Sequence, residues 1–89
     1  MSYLITYDLC KPGQNYDDLI KAIKTYSWCK VAESAWVITS SKTSVEIRDH
    51  LKSKIDKNDV LFVAKLNGEA AWCGASDSVT KWLKENLNK

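Results

Sequence analysis

The sequence has 89 residues, of which 45% are hydrophobic and 27% are charged, and its formal net charge at pH 7 is only +2. This length predicts one domain with a modest core, because so short a chain buries only about 60% of the surface that it exposes when unfolded. The small net charge argues against a strongly basic nucleic-acid coat and an acidic disordered tail. No apolar run reaches the roughly 18 residues of a membrane span, so we expect a cytoplasmic protein.

The spacing of the three cysteines does not indicate a disulfide or a zinc site. Cys10, Cys29 and Cys73 are odd in number, lie far apart and include no CxxC pair. Such spacing predicts neither a disulfide framework nor a zinc site, and the single histidine, His50, does not complete a set of zinc ligands. We therefore expect three reduced thiols and a structural histidine.

The first predicted elements are a strand and a helix. Residues 3–9 alternate aromatic or β-branched residues with others, as a strand with both faces covered does. A turn is predicted at Lys11-Pro12-Gly13, and Asn15 is placed to cap the helix. The apolar positions of this helix are Tyr16, Leu19, Ile20 and Ile23, at the i, i+3, i+4, i+7 spacing of a buried stripe.

The middle of the chain is predicted to hold a hairpin followed by a second helix. We divide residues 28–40 into two strands, Trp28–Ala32 and Ser34–Thr39, because both segments are rich in strand-forming residues. Thr43 and Glu46 have the spacing of a capping box, which predicts the start of a helix. Its buried stripe comprises Ile47, Leu51 and Ile55.

The last third of the sequence predicts a strand, a hairpin turn and a helix. Residues 60–66 are a nearly continuous apolar run, which is typical of a central strand. Asn67-Gly68-Glu69 is a hairpin signal, after which residues 70–74 are expected to pair back antiparallel. A third helix is predicted from Ser76 or Asp77, with Val79, Trp82, Leu83 and Leu87 as its buried edge.

Together these elements predict an α+β fold of the ferredoxin-like type, as one domain over residues 1–89. The order βαββαβ gives a four-stranded antiparallel sheet with helices on one face, to which a C-terminal helix is added. The other face would then expose apolar side chains such as Leu4 or Tyr7, Trp36 and Val63. Because a patch of this kind is unfavourable in a monomer, we expect a homodimer that buries it.

Three segments resemble one protein family. They are residues 3–9, with an acid at the carboxyl end, residues 31–37, and residues 59–66, which begin with an acid. They look like strands of the small CRISPR-associated adaptation protein superfamily, the non-integrase subunit of the spacer-acquisition complex, often described as an endoribonuclease. The similarity covers about residues 3–66 and is greatest to short orphan members, sometimes labelled SinR-like. It implies a ferredoxin-like homodimer that acts on or near nucleic acid in antiviral defence.

The chain also departs from that family in two respects. It has a single arginine, Arg48, beside twelve lysines, whereas working members usually carry several arginines for nucleic-acid backbones. It ends in an amphipathic helix, where many members finish with a strand that crosses the dimer. The fold therefore transfers from the resemblance more readily than the activity does.

The resemblance implies a site at Asp8 and Ser34. In the family the acid equivalent to Asp8 lies near the dimer two-fold and is associated with a divalent metal, so two Asp8 carboxylates could hold one Mg²⁺ for phosphodiester hydrolysis. Ser34 matches a family position near the metal or the nucleic acid. Alternatively, Asp8 caps the loop of residues 9–13, and Ser34 is a strand hydroxyl with an internal hydrogen bond.

Basic and aromatic side chains suggest a nucleic-acid surface. The candidate contacts are Lys30, Trp36, Arg48 and Lys52. Trp28, Trp36 and Trp72 could stack on bases, or could fill the core or a dimer interface. Three functions remain open: a dimeric binding or scaffold protein for nucleic acid or nucleotides, a magnesium-dependent nuclease that uses Asp8, and a regulator that binds nucleotides.

Overall fold

The helices and strands follow the predicted order in the computed structural model, which describes residues 1–10 and 16–88. Their bounds are β1 Ser2–Asp8, α1 Asp17–Ile23, β2 Ser27–Ala32, β3 Ala35–Thr39, α2 Ser44–Lys52, β4 Val60–Leu66 and α3 Asp77–Asn86. The prediction of an α+β fold with a C-terminal helix is confirmed. The turn predicted at residues 11–13 and the cap predicted at Asn15 lie outside the described residues.

The strands form a four-stranded antiparallel sheet in the order β2-β3-β1-β4. The register places Ile5 of β1 between Trp36 of β3 and Val63 of β4. The tight connection between β2 and β3 confirms the division of residues 28–40 into two strands. β1 and β3 are therefore the central strands, and β2 and β4 are the edges.

The position of β4 corrects the prediction that residues 60–66 form a central strand. Among the described residues, β4 pairs with β1 alone. Leu61 and Val63 pack under the helices, whereas Val60 and Phe62, on the other side of the strand, are each 58% exposed. Residues 60–66 are apolar on both sides of the strand, although only one side is well covered. Their hydrophobicity alone therefore wrongly predicted a central strand.

The face of the sheet beneath α1 and α2, called here the first face, carries the main core. Strand residues that alternate in sequence meet one stripe from each helix there, as the periods of two and 3.6 require. The buried members are Tyr3, Ile5, Leu19, Ala22, Ile23, Trp36, Ile38, Ile47 and Leu51. Most of these side chains are fully buried, which confirms the predicted helical stripes.

The opposite face, called the second face, is covered by α3. Leu83 and Leu87 of this helix pack against Val37 of β3. At the end of the helix, the Ser2 hydroxyl donates a hydrogen bond of 2.9 Å to the backbone oxygen of Leu87. The chain terminus is thus attached to the first residue of β1.

This arrangement removes the exposed patch from which the homodimer was expected. Tyr7, Trp36 and Val63 lie on the first face, beneath α1 and α2, while Leu4 lies on the second face beside α3. The sequence argument left the second face bare because it gave α3 no packing partner. The homodimer itself remains a prediction.

Residues 70–74 do not form the predicted hairpin strand. The described chain from residue 67 to residue 76 contains neither helix nor strand. Gly68 has a φ of +89°, and a Cβ there would collide with the Asn88 side chain, so the chain turns sharply at that point. It then crosses the second face towards α3, where the Trp72 indole N–H donates to the Thr80 hydroxyl at 3.1 Å.

Side chains begin the two longer helices where the sequence predicts. The Thr43 hydroxyl accepts from the Glu46 backbone N–H, and the Glu46 carboxylate accepts from the Thr43 N–H, which confirms the capping box. The Ser76 hydroxyl accepts from the Val79 N–H and begins α3. None of the helices within residues 1–10 and 16–88 has both the length and the apolar character needed to cross a bilayer.

Candidate nucleic-acid interface

Asp8 and Ser34 lie at the same end of the sheet. Asp8 is the last residue of β1, is exposed and lies opposite Val60 of β4. Ser34 lies in the β2–β3 turn, where its backbone oxygen accepts a hydrogen bond of 3.2 Å from the Tyr7 N–H. The two residues that the family resemblance singled out therefore lie at one end of the sheet.

A second acid, Asp59, organises this end of the sheet. Its carboxylate accepts from the backbone N–H groups of Cys10 at 2.8 Å and Asp56 at 2.9 Å, and from the Tyr16 hydroxyl at 3.3 Å. These bonds join the end of β1, the start of α1 and the turn before β4. Asp59 thus accepts a backbone hydrogen bond from the loop after β1, which is the kind of contact that the sequence suggested for Asp8.

The titration of these groups follows from the same hydrogen bonds. The Cys10 N–H holds the pKa of Asp59 below its ordinary value, with further help from Asp56 and Tyr16. The Asp59 carboxylate in turn raises the pKa of the Cys10 thiol, chiefly by hydrogen bonding. The carboxylate therefore favours the protonated thiol of Cys10 over the nucleophilic thiolate.

The described residues at this end of the sheet offer few metal ligands. Within the described ranges, no three side chains of His, Cys, Asp or Glu come together in a way that could hold a metal ion. A Mg²⁺ ion can be held by one or two carboxylates if it keeps most of its water ligands. Asp8 is an exposed carboxylate at this end of the sheet.

Two of the predicted nucleic-acid contacts, Arg48 and Lys52, lie on α2. Both are exposed and line a hollow that also contains Asp56 and Asp59. The Arg48 guanidinium is already paired with Asp49 at 2.8 Å. The charges on this side of the molecule are therefore mixed in sign, as the interleaved sequence predicts for a solvated helix face.

The other two predicted contacts, Lys30 and Trp36, are paired across the edge strand β2 and the central strand β3. Trp36 is only 2% exposed, and its indole N–H donates to the Tyr7 hydroxyl at 3.0 Å. Its ring is thus not available to stack on a base. The Lys30 ammonium lies 5.5 Å from the centre of the Trp36 ring, which belongs to the neighbouring strand β3.

Trp28, on the same edge, is the ring that a ligand can reach. It is 38% exposed and packs edge-on against Trp36, with ring centres 5.3 Å apart. The Lys24 ammonium lies 4.9 Å from the centre of the Trp28 ring. A partly open aromatic surface is thereby flanked by Lys24 and Lys30.

A third lysine extends this surface towards α2. The Lys42 ammonium lies 5.7 Å from the centre of the Tyr26 ring, and the Tyr26 hydroxyl is hydrogen-bonded to His50 Nδ1 at 2.8 Å. We call the whole group the β2 basic–aromatic edge. Its members are Lys24, Tyr26, Trp28, Lys30, Trp36 and Lys42.

This edge combines the two chemical features that bind single-stranded nucleic acid. An exposed indole ring can stack on any base, and ammonium groups beside it can contact the phosphates on either side. Sequence reasoning found Trp28 and Lys30 but missed Lys24 and Lys42. Lys24 follows α1 and Lys42 follows β3, so only the folded sheet places them on one edge.

Comparison with known proteins gives this chain no family. No model of a known protein family matches the sequence, and no solved structure matches it. The similarity to the CRISPR-associated adaptation proteins therefore rests on the three segments quoted above.

Proposed function

We propose that this protein binds single-stranded nucleic acid along the β2 basic–aromatic edge. The observation that carries the proposal is Trp28, an exposed tryptophan with a lysine ammonium within 5 Å of its ring centre. Tryptophan on a protein surface is normally buried on one side, as it is here against Trp36, and the remaining face offers a stacking surface.

The charge of the molecule favours a single strand over a duplex. The chain carries a net charge of +2, and its one arginine, Arg48, is paired with Asp49. Specific duplex binding depends mainly on dense phosphate contacts and on arginine or polar side chains in a groove. Stacking on Trp28 needs few charges, because each base supplies its own aromatic face.

The proposal is tested by binding of fluorescently labelled single-stranded RNA and DNA to the Trp28→Ala variant. Stacking on one base contributes about 1–3 kcal/mol, so affinity should fall roughly 5- to 150-fold. Trp72→Ala is the matched control, because Trp72 is 36% exposed but lies in the segment between β4 and α3, where its indole is bound to Thr80, and is not a member of the edge. Equal losses in the two variants would contradict binding at the edge.

The lysines are tested by the salt dependence of the same binding. Three phosphate contacts predict a slope of about −2 for log affinity against log salt concentration. Lys24→Gln and Lys30→Gln should each reduce the slope by about 0.7, while Lys65→Gln, on the far edge strand β4, should leave it unchanged. Tighter binding of mononucleotides than of oligonucleotides would favour the nucleotide-binding regulator instead.

We further propose that the domain is ferredoxin-like and acts as a homodimer in the cytoplasm. The strand order read from the other edge is β4-β1-β3-β2, with α1 and α2 crossing one face, which supports the ferredoxin-like assignment. Three free cysteines are in keeping with a reducing compartment.

The β4 edge is the surface that we propose for the dimer. β2 is protected from strand pairing by a register irregularity and by Lys30, whereas β4 carries one charged residue, Lys65, and exposes Val60 and Phe62. Pairing of β4 with its copy would cover both apolar side chains. Light scattering should then give a mass near 20 kDa that Phe62→Lys reduces to that of the 10.1 kDa chain.

A magnesium-dependent nuclease is the second candidate, and the shared position of Asp8 and Ser34 favours it. Metal-dependent cleavage of RNA or DNA that disappears in Asp8→Asn would support it. Asp18→Asn is the control, because it removes an exposed acid of α1. Cleavage that survives Asp8→Asn would come from another protein.

A further inference from the structure

A cavity lies between the second face of the sheet, one side of α3 and the segment that precedes this helix. Its floor is formed by Leu4, Val37 and neighbouring strand residues, and its wall by Val79, Leu83 and Leu87 of α3. Its volume is about 320 Å³, which lies at the lower end of the range for small-molecule sites. This volume is large for a chain of 89 residues, whose core is necessarily small.

The roof of the cavity is the segment of residues 70–75, which contains neither helix nor strand. Four of its residues are alanine or glycine at the exposed surface or close to it, so the roof is thin. Trp72 fixes it to α3 through the indole hydrogen bond to Thr80. A roof held in this way can open without disturbing the sheet or the helix.

None of the described residues that line the cavity has a charged side chain. Buried charge without a partner is costly, so the phosphates of a nucleotide would lose their hydration without compensation. The same walls gain dispersion contacts from any apolar occupant, because a void leaves their atoms without neighbours on one side. We therefore expect the cavity to favour uncharged ligands over charged ones.

We propose that this cavity binds a small, uncharged and largely apolar molecule. The cavity lining includes none of the six residues of the β2 basic–aromatic edge, so the proposal does not depend on nucleic-acid binding. A polar atom of the ligand has backbone groups of the irregular roof as possible partners, while its rings or chains lie on the leucine and valine floor.

The test uses two fluorescent probes that differ in one charge. N-phenylnaphthylamine is uncharged, and anilinonaphthalene sulfonate is the same ring system with a sulfonate. We expect saturable binding of the neutral probe with at least tenfold preference over the anion. Absence of saturable binding, or equal affinity for the two probes, overturns the proposal.

Two adjacent substitutions on α3 locate the site. Val79→Glu places a carboxylate at the cavity wall, and Ser78→Glu places one at the next, exposed position outside the lining. Neutral-probe affinity should fall at least tenfold in Val79→Glu and remain unchanged in Ser78→Glu. Equal affinities in the two variants would assign the probe to another surface.

Methyl chemical shifts provide a readout that does not depend on a variant's stability. All six isoleucines lie in or against the core of the first face: Ile5, Ile20, Ile23, Ile38, Ile47 and Ile55. The neutral probe should shift the methyl signals of Leu4, Val37 and Leu83 and leave the isoleucine signals in place. Shifts of the isoleucine signals on addition of the probe would contradict a ligand site in this cavity. Shifts of the leucine signals when the protein concentration alone is raised would also contradict it, and would indicate that a second copy of the chain binds here.

Discussion

The two faces of the sheet differ in how closely their side chains are packed. On the first face, Ile5, Ile47 and Leu51 are 0% exposed and contact side chains from both strands and helices. On the second face, Val37, Leu83 and Leu87 retain 4–7% exposure and border a cavity of about 320 Å³. One sheet thus supports a close-packed core and, on its other side, a partly filled one.

The difference follows from how the covering helices are connected. α1 and α2 each link two strands of the sheet, so their positions over the first face are fixed at both ends. α3 is linked to the sheet through the irregular residues 67–76 at one end and through the Ser2–Leu87 hydrogen bond at the other. Stability can therefore reside on the first face, while the second face has room for a ligand.

The largest expected effect comes from removing the same side chain on each face. Leu51→Ala should reduce the free energy of unfolding by about 3–5 kcal/mol, because it opens a cavity in a close-packed core. Leu83→Ala should cost less, about 2–3 kcal/mol, because Leu83 already borders a void and loses fewer contacts.

Chemical denaturation of the two variants measures this difference directly. Both residues are helical and nearly fully buried, at 0% and 4% exposure, so the change in transfer free energy is matched. An equal or greater loss for Leu83→Ala would show that the second face is as well packed as the first.

The next prediction concerns the pH dependence of stability that arises from the hydrogen bonds of Asp59. Since folding lowers the pKa of Asp59 from its ordinary 3.8, its contribution to stability is complete above that value and is lost as the pH falls below it. The melting temperature of Asp59→Asn should be below that of the wild type near pH 6, and the gap should close towards pH 3. Asp8→Asn, at the same end of the sheet, controls for the loss of one acid; a gap that does not depend on pH would contradict the assignment.

A smaller effect is expected at the helix caps. Thr43→Ala breaks a reciprocal capping box on the first face and should cost about 1–2 kcal/mol. Ser76→Ala removes a single cap of α3 and should cost about 0.5–1 kcal/mol. Thermal denaturation distinguishes the two, and equal costs would mean that the Glu46 half of the box contributes nothing.

Local patterns predicted the first face better than the second. The helical stripes, the capping box and the division of residues 28–40 all depend on neighbouring residues, and all are confirmed. The place of β4 in the sheet and the path of residues 70–74 depend on contacts between distant segments, and both predictions were wrong. A hairpin signal at Gly68 specifies a turn but not what the chain contacts afterwards.

The candidate sites divide in the same way. Asp8 ends β1 and Lys30 lies on β2, within the strands that were predicted, whereas Ser34 was predicted as a strand residue and lies in the β2–β3 turn. Trp36 was proposed as a nucleic-acid contact but is buried. The prediction failed because the alternation within one strand reveals neither the packing of Trp28 against Trp36 nor the position of α1. Asp59 was noted only as the acid at the start of residues 59–66, since its hydrogen bond to Cys10 joins residues 49 positions apart.

The smallest effect tests whether the roof of the second face opens independently. Trp72→Phe keeps an aromatic ring but removes the donor to Thr80, and an exposed hydrogen bond of this kind is worth about 0.5 kcal/mol. Because only the roof is released, amide hydrogen exchange should accelerate in residues 70–75 and remain unchanged at Ile5 and Ile47 on the first face. Thr80→Val removes the acceptor and should reproduce the effect, with no further change in the double variant. Acceleration across both faces would instead mean that the roof and the core unfold together, and the two faces would then be one cooperative unit.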